Sequence, residues 1–408
     1  MGNGLEDRSD IYHSSLTINH YETAISVPAR RSGTASVMGR GMGVRIQIPG
    51  RFADAEIALL KLLKYVMNSQ LFELPDLALE SGETLAGAHV AYQTWGQLNE
   101  DRDNVVWVCH ALTANADVLA WWPGLVGPGC YYDPAEWFIV CANVLGSCYG
   151  TTGPLDADPA TGQARFQHFP LLTIRDLVTA HEALREELGI TDINTLIGGS
   201  LGGQQALEWA VLRPDLFDHL IVIATNARHS AWGIAFNEAQ RLAIEADPTY
   251  AAGQPGGGDD GLRAARAMAL LSYRSYLAYA ETQTDPTDDE LLREHRASTY
   301  QRYQGDKLVS RFDAYSYVSL SRSMDTHHLG RNRGGVPAAL ARIGARTLVL
   351  GITSDVLFPL SEQRELAAHI PGAMYAELDS RYGHDGFLLE TAAITHFLEL
   401  FYAPTFVH

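Results

Sequence analysis

Ser200 sits among glycines in the run Gly198-Gly199-Ser200-Leu201-Gly202-Gly203. An apolar run at 194–197 leads into it, and a run with helical character at 204–212 leads out. Gly-x-Ser-x-Gly between a strand and a helix is the pattern of a nucleophile elbow. The turn is sharp enough to force the serine into a strained backbone conformation, and side chains on the flanking positions would collide. Ser200 Oγ would then project from the strand end. The Leu201 N–H would lie at a helix N-terminus, aimed where an oxyanion forms.

A serine in that setting needs an acid and a histidine later in the chain, each after a strand, in the order Ser, Asp/Glu, His. The strand read at 347–351 runs into Ile352-Thr353-Ser354-Asp355. The last strand, 374–378, is followed by Tyr382-Gly383-His384-Asp385-Gly386. His384 would take the serine proton, and Asp355 would hold its tautomer and stabilise the imidazolium. Of the chain's 15 histidines, His384 is singled out by position, not by type. Cys148 is a rival nucleophile, but the sequence places no base beside it. His327-His328 looks like a metal pair but lacks further spaced ligands, so it reads as structural or surface and no metal is expected.

These residues need a sheet to position them. Strands are read at 71–74, 88–95, 105–109, 137–141 and 219–225, with Glu80-Ser81-Gly82-Glu83 as the turn between the first two. The strand at 105–109 runs into His110-Ala111-Leu112-Thr113, a loop at a strand's carboxyl end, where open sheets bind ligands. Its Leu112 N–H is the candidate second oxyanion donor, and Thr113 is placed to line an acyl pocket. A Gly/Thr-rich loop, 143–154, is a candidate wall of the site. Residues 173–188 have helical spacing closed by Gly189. Helices are also expected at 361–369 and 387–401. Strands alternating with helices imply a mostly parallel, doubly wound α/β sheet. About 100 residues, 228–334, lose strand character and read as helical, broken at 253–258. That is too long for a crossover, so it is expected to be a lid over the strand ends. The division is thus 1–66, an extension taken as flexible or non-catalytic; 67–228, the first part of the core; 229–334, the lid; and 335–408, the second part of the core. Residues 1–66 carry no motif, only a short helical run at 53–67.

Composition narrows the partners. A net charge of −18 argues against nucleic acid, and any anionic ligand needs a local basic group. No apolar run approaches membrane-spanning length, and the first residues lack a basic and apolar leader. The four cysteines show no CxxC spacing or disulfide framework. Reduced thiols and a cytoplasmic location are expected.

Together, His110-Ala-Leu-Thr113, the 143–154 loop, Gly198 to Gly203 with Gln205-Ala-Leu-Glu-Trp209, Ser354-Asp-Val-Leu-Phe-Pro359 and Gly383-His-Asp385 resemble the homoserine O-acyltransferases of the α/β-hydrolase superfamily, and among them the acetyltransferases. The resemblance covers about 71–401. It departs at Ala114-Asn115-Ala116-Asp117, where the family often has Gly-Asp-Ser-His, and at Gly386, often alanine. It implies that Ser200 is acylated by acetyl-CoA and then attacked by the homoserine hydroxyl, with His384 as base in both halves. It implies no bound cofactor. Arg266 matches the family's carboxylate-binding arginine, Tyr273 its substrate tyrosine, and Asp385 the residue that meets the substrate amine. On residues alone, Arg266 and Tyr273 share a helix face two turns apart, and a surface arginine with a core tyrosine is the ordinary alternative. For Asp385 the alternative is a loop cap. A homodimer joined through the lid helices is also implied. Succinyl-CoA as donor, serine as acceptor, a plain ester hydrolase and a non-catalytic binding protein remain alternatives. A complete triad and an amino-acid clamp argue against the last two.

Overall fold

Ile193–Gly199 is the strand that the rest of the sheet is built around, because it ends at Ser200. A computed structural model describes residues 68–286 and 293–403. Of the first 67 residues it describes the backbone of four strands: β1, His13–Ile18; β2, Tyr21–Ser26; β3, Gly33–Gly39; and β4, Met42–Ile48. These pair in order as an antiparallel meander. The sequence reading finds no strand there, and its 53–67 helical run lies outside the described residues.

The main strands are β5, Gln70–Glu73; β6, Leu77–Ala78; β7, Thr84–Leu85; β8, His89–Trp95; β9, Val105–Cys109; β10, Phe138–Ala142; β11, Ile193–Gly199; β12, Phe217–Ile223; β13, Arg346–Ile352; and β14, Met374–Leu378. Eight of them form one sheet in the order β14-β13-β12-β11-β9-β10-β8-β5. The six from β9 to β14 run parallel, and β8 and β5 add an antiparallel edge. The turn at 80–83 does not join β5 to β8. It closes the small β6–β7 hairpin inserted between them.

Alternate residues of each central strand enter opposite apolar layers, as a sheet covered on both faces requires. Trp107, Leu196, Leu220 and Val349 pack on one side with α1, Ile174–Glu187, and α2, Leu201–Leu212. Val106, Ile197, Ile221 and Leu348 pack on the other with Ile394, Leu398 and Phe401. The stretch read as one helix at 387–401 breaks at Glu390, whose backbone leaves the helical region.

Between β12 and β13 the chain leaves the sheet and forms α3, Ala231–Glu245; α4, Asp259–Tyr273; α5, Tyr276–Gln283; α6, Arg296–Val309; and α7, Ala314–Asp325. Ser230, Ser275 and Asp313 cap α3, α5 and α7, each side chain accepting the N–H three residues on. Ile244, Leu262, Leu308 and Tyr315 of this insertion belong to the same apolar layer as Trp107 and Leu196, so the helices are seated on the core. Among the described residues, no helix is long and apolar enough to cross a membrane.

Candidate active site

β11 delivers Ser200 with φ 57° and ψ −126°, a conformation that an L-residue adopts only when its surroundings compel it. Its N–H bonds the Ile223 carbonyl at 3.0 Å, and its own carbonyl accepts from Thr225 Oγ1 at 2.9 Å. The neighbouring glycines are required by contact. A Cβ on Gly199 would lie 2.6 Å from the Phe387 ring, and one on Gly203 2.6 Å from Thr225. A Cβ on Gly202 would run into the Cys109 carbonyl at the end of β9, so the start of α2 abuts the strand that launches the 110–113 loop.

The loops after β13 and β14 bring the other two residues to Ser200. His384 Nε2 lies 2.9 Å from Ser200 Oγ, and His384 Nδ1 lies 2.7 Å from Asp355 Oδ2. Asp355 Oδ1 accepts from the N–H groups of Leu357 at 2.8 Å and Phe358 at 3.0 Å. All three side chains are buried. Phe358 stacks on the imidazole and Phe387 meets it edge-on, with ring centroids 5.1 and 5.4 Å away. Burial disfavours the imidazolium. The Asp355 carboxylate, its hydrogen bond and the Asp385 charge outweigh burial and hold the His384 pKa above its ordinary value. The set can move a proton from the serine hydroxyl onto a base whose charged form is stabilised.

Leu201 opens α2, where N–H groups lack partners within the helix. Leu112 is buried in the loop after β9. His110 fixes that loop: Val144 N–H donates to its Nε2 at 3.0 Å, and its Nδ1 donates to the Ala111 carbonyl at 2.9 Å. Burial pushes the His110 pKa down to about 4, so the ring stays neutral and keeps both bonds.

The lid meets this site at two places. Thr113 is held by Arg311, which donates to the Thr113 carbonyl at 2.6 Å and to the Tyr149 hydroxyl at 2.8 Å. On α4, Arg266 lies over the Tyr273 ring at 5.4 Å and forms no hydrogen bond or ion pair among the described residues. Tyr273 in turn lies 5.8 Å from the His384 ring. Arg266, Tyr273, His384 and Asp385 therefore converge. Asp385 already has a neighbour: Arg274 Nε stands 2.8 Å from its Oδ2, without hydrogen-bond alignment. Burial raises the Asp385 pKa against the opposing charges of Arg274, Arg266 and His384. Sequence reasoning missed Arg311 and Arg274, and reached Tyr149 only as part of the 143–154 loop. Of the two missed residues only Arg274 had a signal, as the residue next to Tyr273.

The alternatives resolve similarly. Burial pushes the Cys148 thiol up, and its Sγ faces the Arg311 carbonyl, not a base. His327 is buried with Nε2 2.8 Å from the Asn226 carbonyl, and no cluster of metal-ligating side chains occurs among the described residues. All four cysteines are free.

An elbow serine, an acid and a histidine after β11, β13 and β14 of a mostly parallel sheet define an α/β hydrolase. The family profile described as alpha/beta hydrolase fold matches residues 104–391. Homoserine O-acetyltransferase of Cyclobacterium marinum is 45% identical over 337 residues, covering 82% of this chain and 95% of the relative. The crystal structure of homoserine O-acetyltransferase from Staphylococcus aureus is 31% identical with a TM-score of 0.70, covering 83% of this chain and 96% of that one. The crystal structure of esterase E22 superposes with a TM-score of 0.76 at 21% identity, covering 82% and 99%, a likeness of fold alone. The chain belongs to the homoserine O-acetyltransferase family of α/β hydrolases.

Proposed function

We propose that the protein transfers an acetyl group from acetyl-CoA to the hydroxyl of L-homoserine through an acetyl-Ser200 intermediate, giving O-acetyl-L-homoserine for methionine biosynthesis. The observation that carries this reading is Arg266, stacked over Tyr273 beside the Ser200–His384–Asp355 chain and with no hydrogen bond or ion pair among the described residues. An amino-acid acceptor brings a carboxylate, and a plain ester hydrolase has no use for a free guanidinium at its base.

Ser200 Oγ attacks the thioester carbonyl as His384 Nε2 takes its proton. The N–H groups of Leu112 and Leu201 receive the oxyanion. Collapse breaks the C–S bond, and the CoA thiolate leaves with the proton from His384. The homoserine hydroxyl then gives its proton to His384 and attacks the ester. A second collapse releases the product and returns the proton to Ser200. Arg266 binds the acceptor carboxylate and Asp385 its ammonium, which displaces Arg274 as the neighbour of that acid. Thr113 lines the acyl side. No bound cofactor or metal takes part. Exposed apolar side chains on the lid, Leu271, Tyr276, Leu277 and Tyr303, support a homodimer through these helices. On this reading the reaction takes place in the cytoplasm, which four free cysteines fit.

Intact mass spectrometry tests this. The protein mixed with acetyl-CoA should gain one acetyl group on the Ser200 peptide, discharged faster by homoserine than by water. Equal discharge by water would make it a hydrolase. Labelling by succinyl-CoA alone would change the donor, and faster discharge by serine would change the acceptor.

A further inference from the structure

A single buried amide spans the two segments that carry the candidate oxyanion donors. Gln205 is fully buried on α2. Its Nε2 donates to the His110 carbonyl at 3.1 Å and to the Leu201 carbonyl at 3.2 Å. The first bond reaches the loop of Leu112, and the second reaches the residue that opens α2. With both amide hydrogens used on carbonyls, Oε1 is left as an acceptor, and it faces His181 Nε2 at 2.9 Å. His181 therefore carries its proton on Nε2. It is held between Trp107 and Trp209, with centroids 6.0 and 5.8 Å away, and burial pushes its pKa down to about 4. The imidazole is thus a fixed neutral donor, and it keeps the Gln205 amide from turning over.

We propose that Gln205, oriented by His181, is a positioning residue that sets the spacing of the Leu112 and Leu201 N–H groups. This rests on Ser200 being the nucleophile. An oxyanion donor is effective only within hydrogen-bond reach of the developing charge, and a shift of about 1 Å at a reacting centre can cost about 10²-fold in rate. The carbonyls that Gln205 holds belong to His110, two residues before Leu112, and to Leu201 itself. Loosening either one moves a donor without touching Ser200 or His384.

The test uses the full chain and an alkyl fluorophosphonate, which attaches to Ser200 Oγ with loss of fluoride and loads negative charge on the phosphoryl oxygen. Gln205→Glu keeps the shape and the acceptor for His181 but replaces two N–H donors with at most one O–H. Its phosphonylation rate and kcat should fall by about 10- to 100-fold, while the homoserine KM and the acidic limb of the pH profile stay in place. A merely structural glutamine would lower thermal stability without that split. His181→Phe keeps the cage filled and frees the amide, so a smaller fall in the same rate is expected, and this variant carries the test if Gln205→Glu does not fold. Wild-type phosphonylation rates in the folded variants would overturn the role of Gln205. A wild-type protein unlabelled at Ser200 would instead overturn the nucleophile assignment beneath it.

Discussion

Asp355→Asn should disable the protein by reversing one hydrogen bond. Asp355 Oδ1 accepts two backbone N–H groups, from Leu357 and Phe358 at 2.8 and 3.0 Å. An asparagine placed there must put its carbonyl oxygen on those donors, which leaves its NH₂ facing His384 Nδ1 across the 2.7 Å contact. The imidazole can then only accept at Nδ1, so its proton moves to Nε2. Nε2 is the atom 2.9 Å from Ser200 Oγ, and once protonated it cannot take the serine proton. The same change removes the carboxylate that stabilises the imidazolium. Loss of the tautomer and of the counter-charge at a Ser-His-Asp site is of the order of 10⁴ in kcat, about 5.4 kcal/mol at 1.36 kcal/mol per decade.

The substitution also has a signature in pH. The general base must be neutral, so activity falls as pH drops through the His384 pKa. In the native protein that limb lies above the ordinary imidazole value, because Asp355 overcomes the effect of burial. Without the carboxylate, burial prevails and the residual activity should lose its acidic limb at a lower pH. Stopped-flow release of CoA measured across pH 5–9 reads both effects. A loss smaller than about tenfold, or an acidic limb that stays where it was, would refute the assignment of Asp355 as the partner of His384.

Four further outcomes are expected. Ser200→Ala should abolish acetyl labelling and lower kcat by about 10⁴-fold or more; retained turnover would remove Ser200 from the chemistry. Arg266→Ala should raise the homoserine KM by about 10- to 100-fold, the worth of a charged hydrogen-bonding partner at 1.5–3 kcal/mol, with acetylation by acetyl-CoA left intact; an unchanged KM would return Arg266 to the surface. Gly202→Ala drives a methyl into the Cys109 carbonyl, so thermal denaturation should show a loss of about 1–3 kcal/mol or more together with slowed acylation, and an unaffected protein would contradict the packing of α2 on β9. Removing residues 1–66 should leave acetyl transfer unchanged in steady-state assays, and a folded but inactive truncation would make that segment part of the site.

The triad was legible because each member follows a strand in a fixed chain order, and order is a property of sequence. The strands themselves were legible from apolar runs, though their ends were displaced at the elbow. β11 continues through Gly198 and Gly199, and α2 begins at Leu201 and not near Gln204. Gly202 and Gly203 are poor helix formers by propensity, and only the crowding by Cys109 and Thr225 explains why glycines are used there. The antiparallel edge was less legible, because the β6–β7 hairpin separates β5 from its partner β8. Arg311 could not have been found. It is a single exposed arginine 198 residues from Thr113, and isolated tertiary contacts leave no period or spacing in the chain.

Dividing the sequence at 228 and 334 also conceals how far the lid takes part in the site. Gly383, with φ +66°, precedes the base, and a Cβ there would lie 2.9 Å from the backbone of Arg274 and Ser275. Ser275 Oγ donates to the Arg381 carbonyl, and Arg381 in turn pairs with Glu281 of α5 at 2.6 Å. The junction between α4 and α5 thus grips the loop that carries His384, while Arg311, between α6 and α7, grips Thr113 in the loop after β9. The base and the acyl side are both braced from above. The insertion therefore braces the candidate site, and in the proposed reaction Arg266 would bind the acceptor from the same helix whose C-terminal end packs against the His384 loop. On that reading acceptor binding and base alignment share one structural element, so a substitution that shifts the α4–α5 junction should raise the homoserine KM and lower kcat together.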